Sequence, residues 1–336
     1  MSNQTERILI VGPAWVGDMV MAQSLFIALQ QKNPDCRIDV IAPAWTLPIL
    51  ERMPQVSKAI LMDLPRGKLG LFERTQLGKK LRAENYQQAI LLTNTWKSAL
   101  TPFFADIPLR TGYVGEWRWG LLNDIRYLNK SILTQTVQRF VALGERNQAT
   151  QPPVCPQPRL AVSLLQQQQV LQKYQLNIER KVLALCPGAE YGDAKRWPVE
   201  HFAQLAEYCL DRDWQVWLFG SPKDTGVAAD INRRVSDRCV DLTGQTSMTE
   251  AVDLLSLADT VVSNDSGLMH VAAALNRKLI AIYGSSDPAF TPPLSPYAQI
   301  LRLGLECSPC FQRTCPLGHK RCLVDISPQQ VLAAMI

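Results

Sequence analysis

Apolar runs of four to six residues recur along this chain, separated by segments of helix length. Arg7–Val11 (RILIV) reads as a strand, the loop GPAWVGD follows, and Met19–Leu29 reads as an apolar helix. A second strand spans Arg37–Ile41, and helix and strand then alternate through Ala89–Leu92. The pattern returns more cleanly in the second half. Val182–Cys186, Gln215–Phe219, Thr260–Ser263 and Leu279–Tyr283 read as strands. Val199–Leu210, Thr225–Val235, Thr249–Ser256 and Leu268–Leu275 read as helices. Short continuous apolar runs mark strands buried on both faces, and their alternation with amphipathic helices predicts βα units in parallel sheets. Two such stretches predict two doubly wound α/β domains.

A chain of 336 residues exceeds what one hydrophobic core usually serves. The composition change falls near residues 148–180, where NQATQPPVCPQPR and a Gln-rich segment precede Glu179-Arg180-Lys181. The expected division is a Rossmann-like domain over 1–165, a linker over 166–180, a second Rossmann-like domain over 181–326 and a short terminal helix over 327–336. At 47% apolar and 19% charged residues the chain has an ordinary globular composition. No apolar run approaches the roughly 18 residues of a membrane span. The start, MSNQTERILIVG, lacks a basic stretch and a long apolar core, so no signal peptide is expected and the cytoplasm is the expected compartment.

Charge divides the halves. Residues 1–170 hold 19 Lys and Arg against 12 Asp and Glu, while residues 171–336 hold 16 against 18. A basic excess confined to one domain suits an anionic partner such as nucleic acid, acidic lipid headgroups or a phosphorylated substrate, or is merely a soluble surface.

In open α/β sheets ligands bind beyond the carboxyl ends of the strands, so polar residues at strand-to-helix turns carry the functional reading. Gly12-Pro-Ala-Trp-Val-Gly17-Asp18 has the glycine spacing of a phosphate loop, but Asp18 replaces its lysine and would repel phosphate. Asp18 therefore reads as a helix cap or as a general base facing an interdomain cleft. In CPGAEYGDAKRWP, Gly188 and Gly192 let the backbone approach a ligand, and Lys195 and Arg196 precede a helix, which suits phosphate or else reads as a surface basic doublet ahead of Pro198 at the helix start. Glu190 belongs to the same turn. Asp224, in FGSPKD, reads as a cap or as a contact to a sugar hydroxyl. The richest turn is VSNDSGLMHVAAALNR. Asp265, Ser266 and Gly267 start a helix where a diphosphate and a ribose could be held, Asp265 and Ser266 reading either as contacts to that ligand or as helix caps, with His270 one turn on, either beside the ligand or as a core histidine. Cys307, Cys310, Cys315 and Cys322 follow the pattern C-x2-C-x4-C-x6-C with His319 inside. The first pair has knuckle spacing and the later spacings depart from the usual zinc site, so the cluster is either a metal site or a thiol-rich packing loop, structural in both cases.

Read together, these turns resemble the glycosyltransferase family that contains the lipopolysaccharide heptosyltransferases, glycosyltransferase family 9. The resemblance runs nearly end to end through ILIVGPAWVGDMVMAQSLF, APAW, RMPQV, FFADIPLRTGYVGEWRWGLLND, CPGAEYGDAKRWP, LFGSPKD, SNDSGLMHVAAALNR and YGSSDPAFTPPLS. It implies a GT-B fold, with two Rossmann-like domains facing across a cleft, the acceptor held by the first and the nucleotide sugar by the second. It implies inverting transfer of L-glycero-D-manno-heptose from ADP-heptose to a phosphorylated, Kdo-bearing lipid A. The N-terminal run and AKRWP point to the branch that adds the second heptose rather than the first. Carried over by motif, Asp18 is the base, Lys195 steadies the leaving diphosphate, Asp265 contacts the nucleotide sugar, and Ser266, Gly267 and His270 line it. No step demands a divalent metal, so no cofactor is expected beyond the donor itself. The basic half then offers Arg66, Lys68, Lys97, Arg110 and Arg118 as acceptor contacts, each also readable as a solvated charge. The implied setting is a monomer at the cytoplasmic face of an anionic inner membrane, without nucleic acid. Two rivals remain: a nucleotide-sugar epimerase of the same fold, and a non-catalytic sugar- or nucleotide-binding protein.

Overall fold

The computed structural model describes residues 5–64 and 68–335. The chain divides into two compact units, Met1–Pro158 and Arg159–Ile336. Each is a six-stranded, all-parallel sheet.

The first unit contains β1 (Arg7–Val11), β2 (Arg37–Ala42), β3 (Val56–Leu61), β4 (Gln88–Leu91), β5 (Leu109–Tyr113) and β6 (Asp124–Arg126). Its helices are α1 (Val16–Lys32), α2 (Leu47–Leu50), α3 (Leu71–Leu81), α4 (Leu100–Phe104) and α5 (Thr136–Leu143). The strand order is β3-β2-β1-β4-β5-β6. Central β1 pairs with β2 on one side and β4 on the other, so Ile8 to Val11 are all buried and the strand reads as an unbroken apolar run. Helix α1 is buried on nearly every face over Met19–Phe26, and its polar members are satisfied. Gln23 donates to the Gln55 side chain at 3.0 Å, and the Ser24 hydroxyl donates to the Pro156 carbonyl at 2.6 Å.

The second unit contains β7 (Val182–Cys186), β8 (Gln215–Leu218), β9 (Val240–Asp241), β10 (Thr260–Asn264), β11 (Lys278–Ile282) and β12 (Ala298–Leu301). Its helices are α6 (Leu164–Tyr174), α7 (Val199–Leu210), α8 (Thr225–Arg234), α9 (Met248–Leu255), α10 (Gly267–Ala274), α11 (Arg321–Val324) and α12 (Pro328–Met335). The order β12-β11-β10-β7-β8-β9 repeats the first sheet's order strand for strand. In each sheet the winding reverses between the unit's first and fourth strands, and a crevice at the carboxyl ends opens there. Two Rossmann-like units in one chain make this the doubly wound α/β class.

The segment expected as a linker, 166–180, is mostly helix α6 and belongs to the second unit. Ser163 caps it, with Gln166 closing a capping box. Gln167 donates to Ser256 at 2.9 Å, and the Tyr174 hydroxyl donates to Glu250 at 3.0 Å. Gln166 and Gln167 are thus capping and packing groups, and the units part earlier, at Pro158 in the proline-rich stretch.

Candidate active site

At the second sheet's reversal point, β7 and β10 lie side by side, pairing through Leu183–Cys186 and Thr260–Ser263. The turn after β10 begins with Asp265, which is buried at 5% exposure. The Lys195 ammonium, carried by the turn after β7, donates to Asp265 Oδ2 at 2.5 Å. The Ser286 hydroxyl, just beyond β11, donates to the same oxygen. Lys195 also stands over the Tyr191 ring, 5.1 Å from its centroid. A buried carboxylate so partnered fixes the position of its lysine.

Helix α10 starts at Gly267. Ser266 precedes it in extended backbone and makes no capping hydrogen bond. Its hydroxyl instead meets that of Ser263 at 3.2 Å. The capping alternative for this turn is not taken up, and α10 presents its positive end beside Lys195 without a side-chain cap. One turn on, His270 is buried. Burial pushes its pKa down to about 4 against the pull of the Asp265 carboxylate, with the Lys195 charge pushing the same way as burial. The imidazole is therefore neutral at pH 7, and the positive charge at the site comes from Lys195 and the helix.

Asn264 joins the two turns. Its Oδ1 accepts the Trp197 backbone N–H at 3.0 Å, and its Nδ2 donates to the Pro187 carbonyl at 2.7 Å. Trp197 is buried, with its indole N–H donating to the Ile326 carbonyl at 2.8 Å.

The chain matches the model of glycosyltransferase family 9 (heptosyltransferase) over residues 74–321. It is 46% identical to lipopolysaccharide heptosyltransferase 2 of Escherichia coli (strain K12), covering 97% of this chain and 96% of that one. The chain belongs to glycosyltransferase family 9. The solved structure of E. coli ADP-heptose lps heptosyltransferase II has a TM-score of 0.86 with 43% identity, covering 98% of this chain and 97% of the other. Lipopolysaccharide heptosyltransferase 1 of Pseudomonas aeruginosa is 30% identical over 41% of this chain and 39% of its own.

Not every residue singled out in this transferase joins the Lys195–Asp265 cluster. Asp224 forms the capping box of the turn Pro222–Asp224, accepting from the Ser221 N–H at 3.0 Å and hydroxyl at 2.7 Å. It also accepts from Arg196 at 3.2 Å. Its role here is to hold two turns together. Glu190 is spent on an exposed pair with Lys223 at 2.6 Å. The glycines of the Lys195 turn make room for protein. A Cβ on Gly188 would stand 2.5 Å from the Asp224 carboxylate, and one on Gly192 would stand 2.2 Å from the Arg313 carbonyl oxygen. The close approach that they permit is made by the chain itself.

In the first unit, Asp18 lies in the opening turn of α1, half-buried, three residues after the N-cap position held by Trp15. It is not the cap. Among the expected acceptor contacts, Arg118 is 2% exposed and turned inward. It donates to the Thr93 carbonyl at 2.7 Å and to the Tyr113 carbonyl. Arg110 donates to the Leu121 and Ile107 carbonyls, both at 2.6 Å. Their donors hold loops of the first unit together. Lys68 is exposed and Lys97 half-buried; Arg66 lies outside the described residues.

Asn264, Ser286 and Tyr191 were not singled out from the sequence. Asn264 and Ser286 lie at or just past strand ends, the placement that drew attention to Asp265. The exposed tryptophans were missed as a group. Trp15, Trp45, Trp96, Trp117 and Trp119 follow the carboxyl ends of β1, β2, β4 and β5. Among the described residues, every exposed tryptophan is in the first unit.

Proposed function

We propose that this heptosyltransferase moves L-glycero-D-manno-heptose from ADP-heptose onto the first heptose of the Kdo-lipid A inner core, with inversion at the anomeric carbon. The observation that carries the assignment of the donor half is the Lys195–Asp265 pair beside the start of α10, at the reversal point of the second sheet. Near-full-length identity to a heptosyltransferase 2, against partial coverage of a heptosyltransferase 1, supports the second heptose over the first.

The acceptor hydroxyl attacks the anomeric carbon and gives its proton to the Asp18 carboxylate. The bond from that carbon to the diphosphate oxygen breaks, and its electron pair leaves with ADP. Lys195 Nζ and the first N–H groups of α10 take up the charge that develops on the diphosphate. Asp265 and Ser286 keep Lys195 in place, so Asp265 serves as a positioning group for the lysine. Ser266, Gly267 and neutral His270 line the donor. No step is assigned to a cofactor; ADP-heptose is a substrate.

The first unit is assigned the acceptor. Its basic excess, with Lys68, Lys97 and Arg66 as candidates, suits phosphorylated lipid A. Its exposed tryptophans suit sugar faces and the boundary of an anionic bilayer. No helix among the described residues is long and apolar enough to cross a membrane. We assign the enzyme a peripheral place on the cytoplasmic face of the inner membrane, as a monomer.

Asp18→Asn tests the base. Transfer should fall ~10²–10⁴-fold, the usual worth of a general base, while ADP binding measured by calorimetry stays unchanged. Turnover within a few-fold of the parent enzyme would remove Asp18 from that role.

A further inference from the structure

We infer that Cys307, Cys310, Cys315 and Cys322 form a binding site for one thiophilic metal ion, zinc or iron, in a knuckle packed against the Lys195 turn. These four cysteines and His319 line one cavity of ≈ 20 Å³. They come from positions up to 15 residues apart, in a stretch without helix or strand until α11 begins at Arg321. A segment that long, with Phe311 and Leu317 exposed, buries little apolar surface to hold its shape. A metal cross-link supplies what such a segment lacks.

Further observations favour a metal over a packing loop. All nine cysteines are free thiols, so the four are not consumed in disulfides. His319 Nδ1 already accepts the Arg321 N–H at 3.0 Å, which leaves the four sulfurs as the donor set. Four thiolates select tetrahedral zinc or iron. Among the described residues no three His, Cys, Asp or Glu side chains stand where they could together hold a metal ion. Binding therefore requires the thiols to turn inward about χ1, between staggered wells.

The location gives the site a consequence. The Arg313 carbonyl accepts the Ala194 N–H at 3.1 Å, and the Tyr191 hydroxyl donates to the Phe311 carbonyl at 2.8 Å. Lys320 pairs with Asp193 at 2.8 Å. The knuckle thus forms the back wall of the turn that carries Lys195.

The test uses the full chain. Protein purified under reducing conditions without added metal is assayed by elemental analysis, and protein expressed with Co²⁺ as the supplied metal is examined by absorption. The expected result is one zinc or iron per chain, and with cobalt the sulfur-to-metal charge-transfer bands of a tetrahedral thiolate site. The Cys307→Ser/Cys310→Ser double variant should lose that metal, while Cys155→Ser, in the other unit, should keep it. Folded wild-type protein without stoichiometric metal and without sulfur-to-cobalt absorption would overturn the inference, whatever the variants do. So would full metal retention by the double variant.

Discussion

At the scale of single residues, the site rests on a charge that the protein has to neutralise. Asp265 is buried, and Lys195 is the cation that partners it. Removing one member of a buried pair leaves the other uncompensated, at a cost of about 3–5 kcal/mol. Lys195→Met should therefore lower both transfer and stability. Adding Asp265→Asn should restore most of the stability in denaturant titrations and none of the transfer. Equal stability of the two variants would show that the pair is not buried in solution. His270 supplies a pH signature. Its folded pKa of about 4 lies below the ordinary 6.5, so the unfolded chain binds the proton more readily. The associated stability is complete above about pH 6.5 and is lost as pH falls toward 4, by roughly 3 kcal/mol at about 1.36 kcal/mol per unit. Denaturant titrations of His270→Gln should show a flatter profile across that window; an unchanged slope would place the imidazole in water.

At the scale of elements, Asn264 connects what the chain separates by 67 residues. Asn264→Ala leaves the Trp197 N–H and the Pro187 carbonyl without their partner, which costs about 1–3 kcal/mol, and it frees the Lys195 turn from β10. Donor affinity should fall with stability, and calorimetry with ADP reads it directly; intact affinity would mean that the turn holds itself. The central strands were legible in the sequence because strands paired on both sides become continuous apolar runs, as in RILIV and VLALC. The edge strands β6, β9 and β12 were not legible. They span three, two and four residues, mostly only partly buried, so no apolar run marks them. The turns were legible as polar residues at strand ends, which brought out Asp265 and Lys195. Their partners were not, because Arg118 and Asp224 look like ligand-facing charges until the carbonyls and caps that they serve are in place. The glycines misled for a similar reason: a backbone that must be approached closely looks the same whether a ligand or the Arg313 carbonyl approaches it.

At the scale of the whole molecule, one winding is used twice with opposite surface chemistry. The first unit carries the basic excess and the exposed tryptophans, and the second carries a lysine held by a buried carboxylate next to a helix start. That division suits an amphiphilic, phosphorylated acceptor on one side and a nucleotide diphosphate sugar on the other. It argues against an epimerase, which has no acceptor to recognise. The most direct measurement is ADP release from ADP-heptose by the purified enzyme with no acceptor, with Kdo-lipid A, and with the same lipid already bearing one heptose. The account predicts release with the heptosylated lipid alone. Equal or faster release with plain Kdo-lipid A, or conversion of the donor with no acceptor present, would contradict it.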